Sequence, residues 1–317
     1  MRALVLSGGG SKAAFQLGVL KHLIEREGRD YDIYCGSSSG ALNASILAQS
    51  RLDESYLLLN NLWKSIKSNK DVYKNNKIRF SILLTMFLFV LGIVPVIISS
   101  YSLLYGILFF IVYLFLLIFP IKYILELESI YDKSPLKKKL IKNFDYHKII
   151  SNNKKLRIGV VNYEFGKYES IDEYNSELTN YILASASFPL FFEMEKINGQ
   201  HWSDGGIINL APVSDAIKAG ATEIDIIICS NLEPSIEENK NLSHQFVRFL
   251  ELMSTEVLKN DLAIIDASTK MRVFYPLDNL DFNYLDFNQD NIEKAIALGE
   301  SSAKIILDSK KYKSWTK

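Results

Sequence analysis

The chain has 317 residues, 48% of them apolar, enough to bury the core of one large α/β domain, which argues against an intrinsically disordered protein. Its 36 basic and 36 acidic residues cancel, so no global field draws it to nucleic acid and any charged partner must be met locally. The two cysteines, Cys35 and Cys229, each end a strand-like apolar run, so a reduced compartment is expected and a disulfide framework is not.

The N-terminus, MRALVLSGGG, is too short in apolar residues for a secretory signal and passes at once into a predicted strand, Ala3 to Ser7. After three glycines, Phe15, Leu17, Leu20 and Leu23 recur at helical spacing, which predicts a helix from Ala13 to Glu25. A second strand, Tyr31 to Cys35, runs into Gly36-Ser37-Ser38-Ser39-Gly40 and a small-residue helix, Ala41 to Gln49. Two strand-to-helix joints therefore open the chain, each rich in glycine.

Between Arg79 and Lys122 no charged residue occurs. The 42 residues from Phe80 to Ile121 suffice for two crossings of a bilayer, since a helix rising about 1.5 Å per residue needs about 20 for each. Ser99-Ser100-Tyr101-Ser102 is the predicted turn. Lys70, Lys74, Lys77 and Arg79 precede the segment, and Lys122, Lys133, Lys137, Lys138 and Lys139 follow it. The positive-inside tendency then puts both ends, and with them the two halves of the chain, on the cytoplasmic side of a membrane. The expected organisation is one domain made of residues 1–79 and 122–317, with an inserted hydrophobic helical hairpin at 80–121. A buried helical pair or an interfacial lid is the alternative, because Gly92 and Pro95 can break the first helix. Apolarity all round the helix argues against the interfacial version.

Beyond the insert, Leu156 to Tyr163 alternates as a strand, and Leu178 to Ser187 reads as a helix stopped before Pro189. Phe191 to Trp202 carries Asn198-Gly199, suited to a type I′ hairpin, and leads directly to Asp204-Gly205-Gly206. A short helix opened by Pro212, a strand Ile224 to Cys229, a helix from about Ser243 to Lys259, a strand Arg272 to Tyr275 and a helix from about Asn291 to Leu307 complete the pattern. Alternating strands and helices imply a mainly parallel central sheet covered on both faces.

Three motifs carry chemistry. Gly8-Gly9-Gly10-Ser11-Lys12-Ala13 offers backbone N–H groups to any anion and also fits the dinucleotide pattern GxGxxA. A dinucleotide-dependent membrane oxidoreductase is therefore a rival reading, although it wants an acidic residue at the end of the second strand, where Cys35 and Gly36 stand. GxSxG at Gly36 to Gly40 presents Ser38 on a sharp turn whose glycines relieve crowding, with Ser37 and Ser39 as packing or capping residues. Asp204 is followed by Gly205 and Gly206, which allow close backbone approach; alone, such a pair is common in turns. A nucleophile elbow needs an oxyanion site, and the amides of Gly8 to Gly10 are suitably placed at the preceding joint.

GGGSKAAFQLGVL, GSSSG, ASASFPLFF and SDGG, in that order over about residues 3 to 230, resemble the patatin-like phospholipases. Two departures are Ala13, where that family usually has glycine, and the apolar insert. The resemblance implies a patatin-like three-layer α/β domain and a membrane-associated serine acyl hydrolase that cleaves lipid esters through an acyl-enzyme. It implies a dyad, Ser38 as nucleophile and Asp204 as base, with Gly8, Gly9, Gly10 and Ser11 forming the oxyanion hole. Lys12 would add positive charge near the loop or meet a lipid phosphate, and Gly36, Gly40, Gly205 and Gly206 would support the turns. No cofactor or metal is implied; the expected partners are a membrane lipid as substrate and the bilayer through residues 80–121.

Two other readings stay open. An α/β-hydrolase triad of Ser38, Asp204 and His244 has the right order along the chain, although His244 falls at a predicted helix start. His201, three residues before Asp204, is expected on the surface, and His22 and His147 as structural residues. A catalytically silent lipid-binding protein would keep the motifs without turnover.

Overall fold

The computed structural model describes residues 1–76, 78–231, 242–263 and 269–309. Strand β1 (Arg2–Leu6) leads through a 3₁₀ turn, Gly10–Ala14, into helix α1 (Phe15–Glu27); β2 (Ile33–Ser37) leads into α2 (Ser39–Leu47) and α3 (Leu52–Lys64). A second 3₁₀ turn, Asn69–Asp71, precedes β3 (Lys74–Asn75) and the insert, formed by α4 (Ile78–Leu91), α5 (Ile93–Ser99) and α6 (Leu103–Leu125). After β4 (Tyr131–Asp132) come α7 (Ser134–Asn143), α8 (Tyr146–Ser151), β5 (Lys155–Asn162), β6 (Lys167–Asp172) and α9 (Leu178–Ser185). The hairpin β7 (Glu195–Ile197) and β8 (Gln200–Asp204) follows, then a 3₁₀ turn, Gly205–Ile207, α10 (Val213–Lys218), β9 (Glu223–Ile227), α11 (Leu242–Ala263), β10 (Lys270–Phe274) and α12 (Gln289–Asp308).

Five parallel strands in the order β10-β9-β1-β2-β5 make the body of the sheet. The antiparallel β6 takes the far edge of β5, and the hairpin of β8 and β7 adds to the end of β5 past β2. The pleat sorts alternate side chains of β1 to opposite faces. Leu4 and Leu6 join the core under α1, α2, α3 and α12, while Ala3 and Val5 join the core under α10 and α11. Both faces are thus covered, as parallel sheets require, and the result is the expected three-layer α/β architecture. Cys35 belongs to one core and Cys229 to the other, and both thiols are free.

The insert leaves this body as an arm. The turn falls after Ser99, where the polar run predicted it, and α6 folds back along α4 and α5. Gly92, facing Tyr113, separates α4 from α5, and Gly106 lets Ser99 approach α6 closely. Large apolar side chains such as Phe89, Val96 and Leu104 point away from the protein. Lys77 and the side chain of Arg79, part of the basic flank, lie outside the described residues.

At its base the arm is tied to the domain by β3 and β4, with Lys74 opposite Asp132 and Asn75 opposite Tyr131. Tyr73 packs on the rings of Tyr131, Phe192 and Phe287, and its hydroxyl donates to the Leu285 carbonyl at 2.7 Å.

Candidate active site

The two motifs that matter most meet because of strand register. Along one edge of β5, β2 pairs with residues 155–159 and β8 with residues 160–162. One strand runs parallel to β5 and the other antiparallel, so their C-terminal ends approach each other head-on. Ser37 pairs with Gly159 and Asp204 with Val160, on consecutive rungs. Whatever follows Ser37 must therefore lie beside Asp204.

Ser38 sits on the turn into α2 at φ 56° and ψ −131°, a conformation that an L-residue with a side chain rarely adopts. Its neighbours must be small. A Cβ on Gly40 would strike the Leu6 carbonyl, and one on Gly36 would strike the Gly40 carbonyl. The strained turn is braced from α9: the Ser38 N–H donates to Ser185 Oγ at 2.9 Å, and Ser185 Oγ donates to the Gly159 carbonyl at 2.6 Å. Ser37 Oγ donates to the Asn209 carbonyl at 2.7 Å, so it packs as expected, and Ser39 is buried at the start of α2.

Asp204 is 1% exposed. Burial pushes its carboxyl up from 3.8 to about 7, while the nearby Ser38 side chain and the hydrogen bond from the Gly206 N–H favour the ionised form. The Gly206 bond measures 2.7 Å. Gly205 in turn lies against the Gly159 carbonyl, where no Cβ fits.

The first glycine loop closes over the same point, with Gly8 so near that a Cβ on it would lie 2.9 Å from Ser38 Cβ. Of the four expected oxyanion donors, two are already committed. Gly8 N–H donates to the Leu210 carbonyl at 3.0 Å and Ser11 N–H to the Tyr284 carbonyl at 2.8 Å. The half-buried amides of Gly9 and Gly10 have no partner among the described residues, so the donor set narrows to these two. Gly10 has φ 54° and abuts the Tyr284 carbonyl, two independent reasons for glycine there.

The loop before α12 holds this arrangement from outside. Ser11 Oγ donates to the Asn283 carbonyl at 3.0 Å, and Lys12 Nζ lies 4.5 Å from the Tyr284 ring centroid and 5.9 Å from that of Phe282. Lys12 thus clamps this aromatic loop onto the glycines. Cys229 lies under Gly9, accepts from Gln16 Nε2 at 3.1 Å, and is pushed up to about 12 by burial, so it remains an inert thiol.

Among the described residues the groups acting on the Asp204 carboxylate are Ser38 and Gly206, and no histidine is one of them. His201 is partly exposed and its Nδ1 pairs with Glu164 at 2.7 Å; the His147 ring lies tilted against Tyr146. His244 opens α11, and its side chain lies outside the described residues. Ser185 was missed in the sequence although it stands in ASASFPLFF, a run whose small residues mark close packing.

The profile of the family described as patatin-like phospholipase matches residues 4–217. Among solved structures the chain is similar to VipD from Legionella pneumophila, with a TM-score of 0.42 and 17% identity, covering 97% of this chain and 67% of that one. No curated relative matches the sequence.

Proposed function

Because the chain belongs to the patatin-like phospholipase family and is a lipid ester hydrolase, we propose that it acts through a Ser38–Asp204 dyad while anchored to a membrane by its apolar arm. The observation that supports the dyad is the register of β5, which sets a buried carboxylate poised near neutrality one rung from the strand end that carries Ser38.

Ionised Asp204 takes the hydroxyl proton as Ser38 Oγ attacks the ester carbonyl. The oxyanion that develops is held by the N–H groups of Gly9 and Gly10, each worth about 3 kcal/mol in comparable sites. Collapse breaks the ester C–O bond, the proton passes from Asp204 to the departing alkoxide, and the acyl group remains on Ser38. A water molecule, deprotonated by the same carboxylate, then attacks the acyl-enzyme and frees the acid. The carboxyl value of about 7 fits both duties, since Asp204 must give up its proton as readily as it takes it.

The membrane reading is supported by α6, in which Leu103–Lys122 is 20 residues long, apolar and only 12% buried, unlike a core helix. Leu84–Ser99 is a shorter apolar stretch in the outgoing leg of the arm. Basic residues outside both ends favour a cytoplasmic catalytic domain.

A fluorophosphonate probe should label the protein and fail to label Ser38→Ala, while His244→Ala stays active. Loss of activity in His244→Ala would replace the dyad by a triad. Alkaline carbonate should leave the full chain in the membrane fraction and release a chain lacking residues 80–121; equal retention of the two would sink the anchor.

A further inference from the structure

The base of the arm collects charge that the rest of the chain lacks. Residues 64–79 and 122–142 contain twelve basic and four acidic residues, although the whole sequence is neutral. The two stretches meet in space. Besides the β3–β4 pairing, the Leu136 N–H in α7 donates to the Val72 carbonyl at 3.1 Å, and Lys139 Nζ donates to Ser65 Oγ at 2.9 Å.

Not every lysine there faces outward. Lys133 is buried against Glu195 at 2.9 Å, and Lys137 lies 3.6 Å from the same carboxylate. Lys70, Lys74, Lys138 and Lys142 are exposed, and none of them is ion-paired with a described residue.

A second observation falls on the same base. Leu190 is 64% exposed and holds φ 72°, the left-handed region that a bulky side chain avoids. Its carbonyl accepts the Ile130 N–H at 2.9 Å, and the Phe191 carbonyl accepts the Tyr131 N–H at 2.9 Å. Backbone at 130–131 is thus flanked by β3 on one side and by Leu190 on the other. A strained turn that holds an apolar side chain in solvent, beside unpaired lysines and an apolar hairpin, matches the layering of a bilayer surface.

We propose that Lys70, Lys74, Lys138 and Lys142 form a cationic collar that docks on anionic lipid headgroups, with Leu190 entering the acyl boundary beside it. The proposal rests on the membrane reading of the arm and adds to it a preference for lipid charge. Docking there also tethers the active site to the surface, because the segment from Leu190 to β8 ends at Asp204.

The test uses the detergent-solubilised full chain and a fluorogenic phosphatidylcholine in non-ionic mixed micelles. The micelles are doped with a non-hydrolysable diether phosphatidylglycerol or with the matching diether phosphatidylcholine. The anionic dopant is expected to lower the apparent KM about tenfold at low salt, an effect that fades near 1 M salt, where charges are screened beyond about 3 Å. Replacing the four lysines by Gln should remove the gain and leave hydrolysis of a soluble short-chain ester unchanged. Leu190→Asn, which tolerates the same backbone, should raise the apparent KM several-fold in micelles only. An undiminished gain in the four-lysine variant, or no gain in the wild type, overturns the proposal. Binding to polyglutamate without any gain from the lipid dopant would overturn it in favour of an acidic polypeptide. Failure of the underlying readings shows elsewhere, as a soluble ester left intact or as release of the full chain by carbonate.

Discussion

Ser185 Oγ accepts the backbone N–H of Ser38 at 2.9 Å, reaching from α9 to the proposed nucleophile across 147 positions of sequence. The bond satisfies an amide on the most strained turn of the site, and the Ser185 proton goes to the Gly159 carbonyl, the rung on which β2 ends. Ser185→Ala leaves both groups unpaired in a buried place, at about 1–3 kcal/mol. It should lower kcat about tenfold or more with KM little changed, as measured on a soluble ester. Ser185→Thr, which restores the hydroxyl, should recover part of the loss.

Activity and stability should move in opposite directions with pH. In the proposed dyad hydrolysis needs ionised Asp204, so kcat/KM should rise through about pH 7. In the unfolded chain the same carboxyl titrates near 3.8, below its folded value. Between the two the folded protein keeps a proton that the unfolded chain has lost, so this stabilisation is complete below about pH 4 and fades as pH rises through about 7. Asp261, also raised to about 7 by burial, adds to the trend. Asp204→Asn should abolish hydrolysis and gain on the order of 3 kcal/mol at pH 8, a gain that vanishes near pH 4 in urea melts. An unchanged pH dependence of stability would remove Asp204 as its source.

The turn at Ser38 stores strain that glycine would release. Ser38→Gly should be inactive yet more stable than wild type by about 1–2 kcal/mol, because glycine adopts positive φ freely. Ser38→Ala, equally inactive, keeps the Cβ and should show no such gain. Equal unfolding free energies for the two variants would mean that the turn is unstrained.

Lys133 ties the base of the arm to the segment that carries Asp204. Only 7% exposed, it donates to Ser187 Oγ and to the Glu193 carbonyl at 2.5 Å and pairs with Glu195, while the Ser187 carbonyl accepts the Asp204 N–H at 3.2 Å. Lys133→Met fills the space but leaves the Glu195 carboxylate with only the more distant Lys137 at 3.6 Å, which should destabilise the protein by about 2 kcal/mol. Chemical denaturation checks this, and the additional change Glu195→Gln should restore part of the loss.

The opening strands, both glycine joints, the serine elbow and the apolar arm were legible because each is a local pattern of composition and period. Even the Asn198-Gly199 hairpin obeyed its turn chemistry, with both residues at positive φ. Other features were missed for physical reasons. Strand β6 buries only Ile171 of its six residues, so KYESID has no apolar alternation to read. Helix α1 begins at Phe15 and not at Ala13, because the glycine loop first turns through a 3₁₀ segment that periodicity does not distinguish. Gly8 and Ser11 looked equivalent to Gly9 and Gly10 until carbonyls far along the chain were seen to occupy their amides. Lys133 read as one more flanking charge, and only packing shows that it lies inside.

Where the arm leaves the domain, its two feet stand side by side: the Asn76 N–H donates to the Ile130 carbonyl at 3.2 Å and the Asn76 side chain to the Ser129 carbonyl at 2.9 Å. Such a junction makes the arm a graft. A tight reverse turn could bridge the same gap and leave the rungs of β5 undisturbed, so water solubility could be engineered without touching the chemistry.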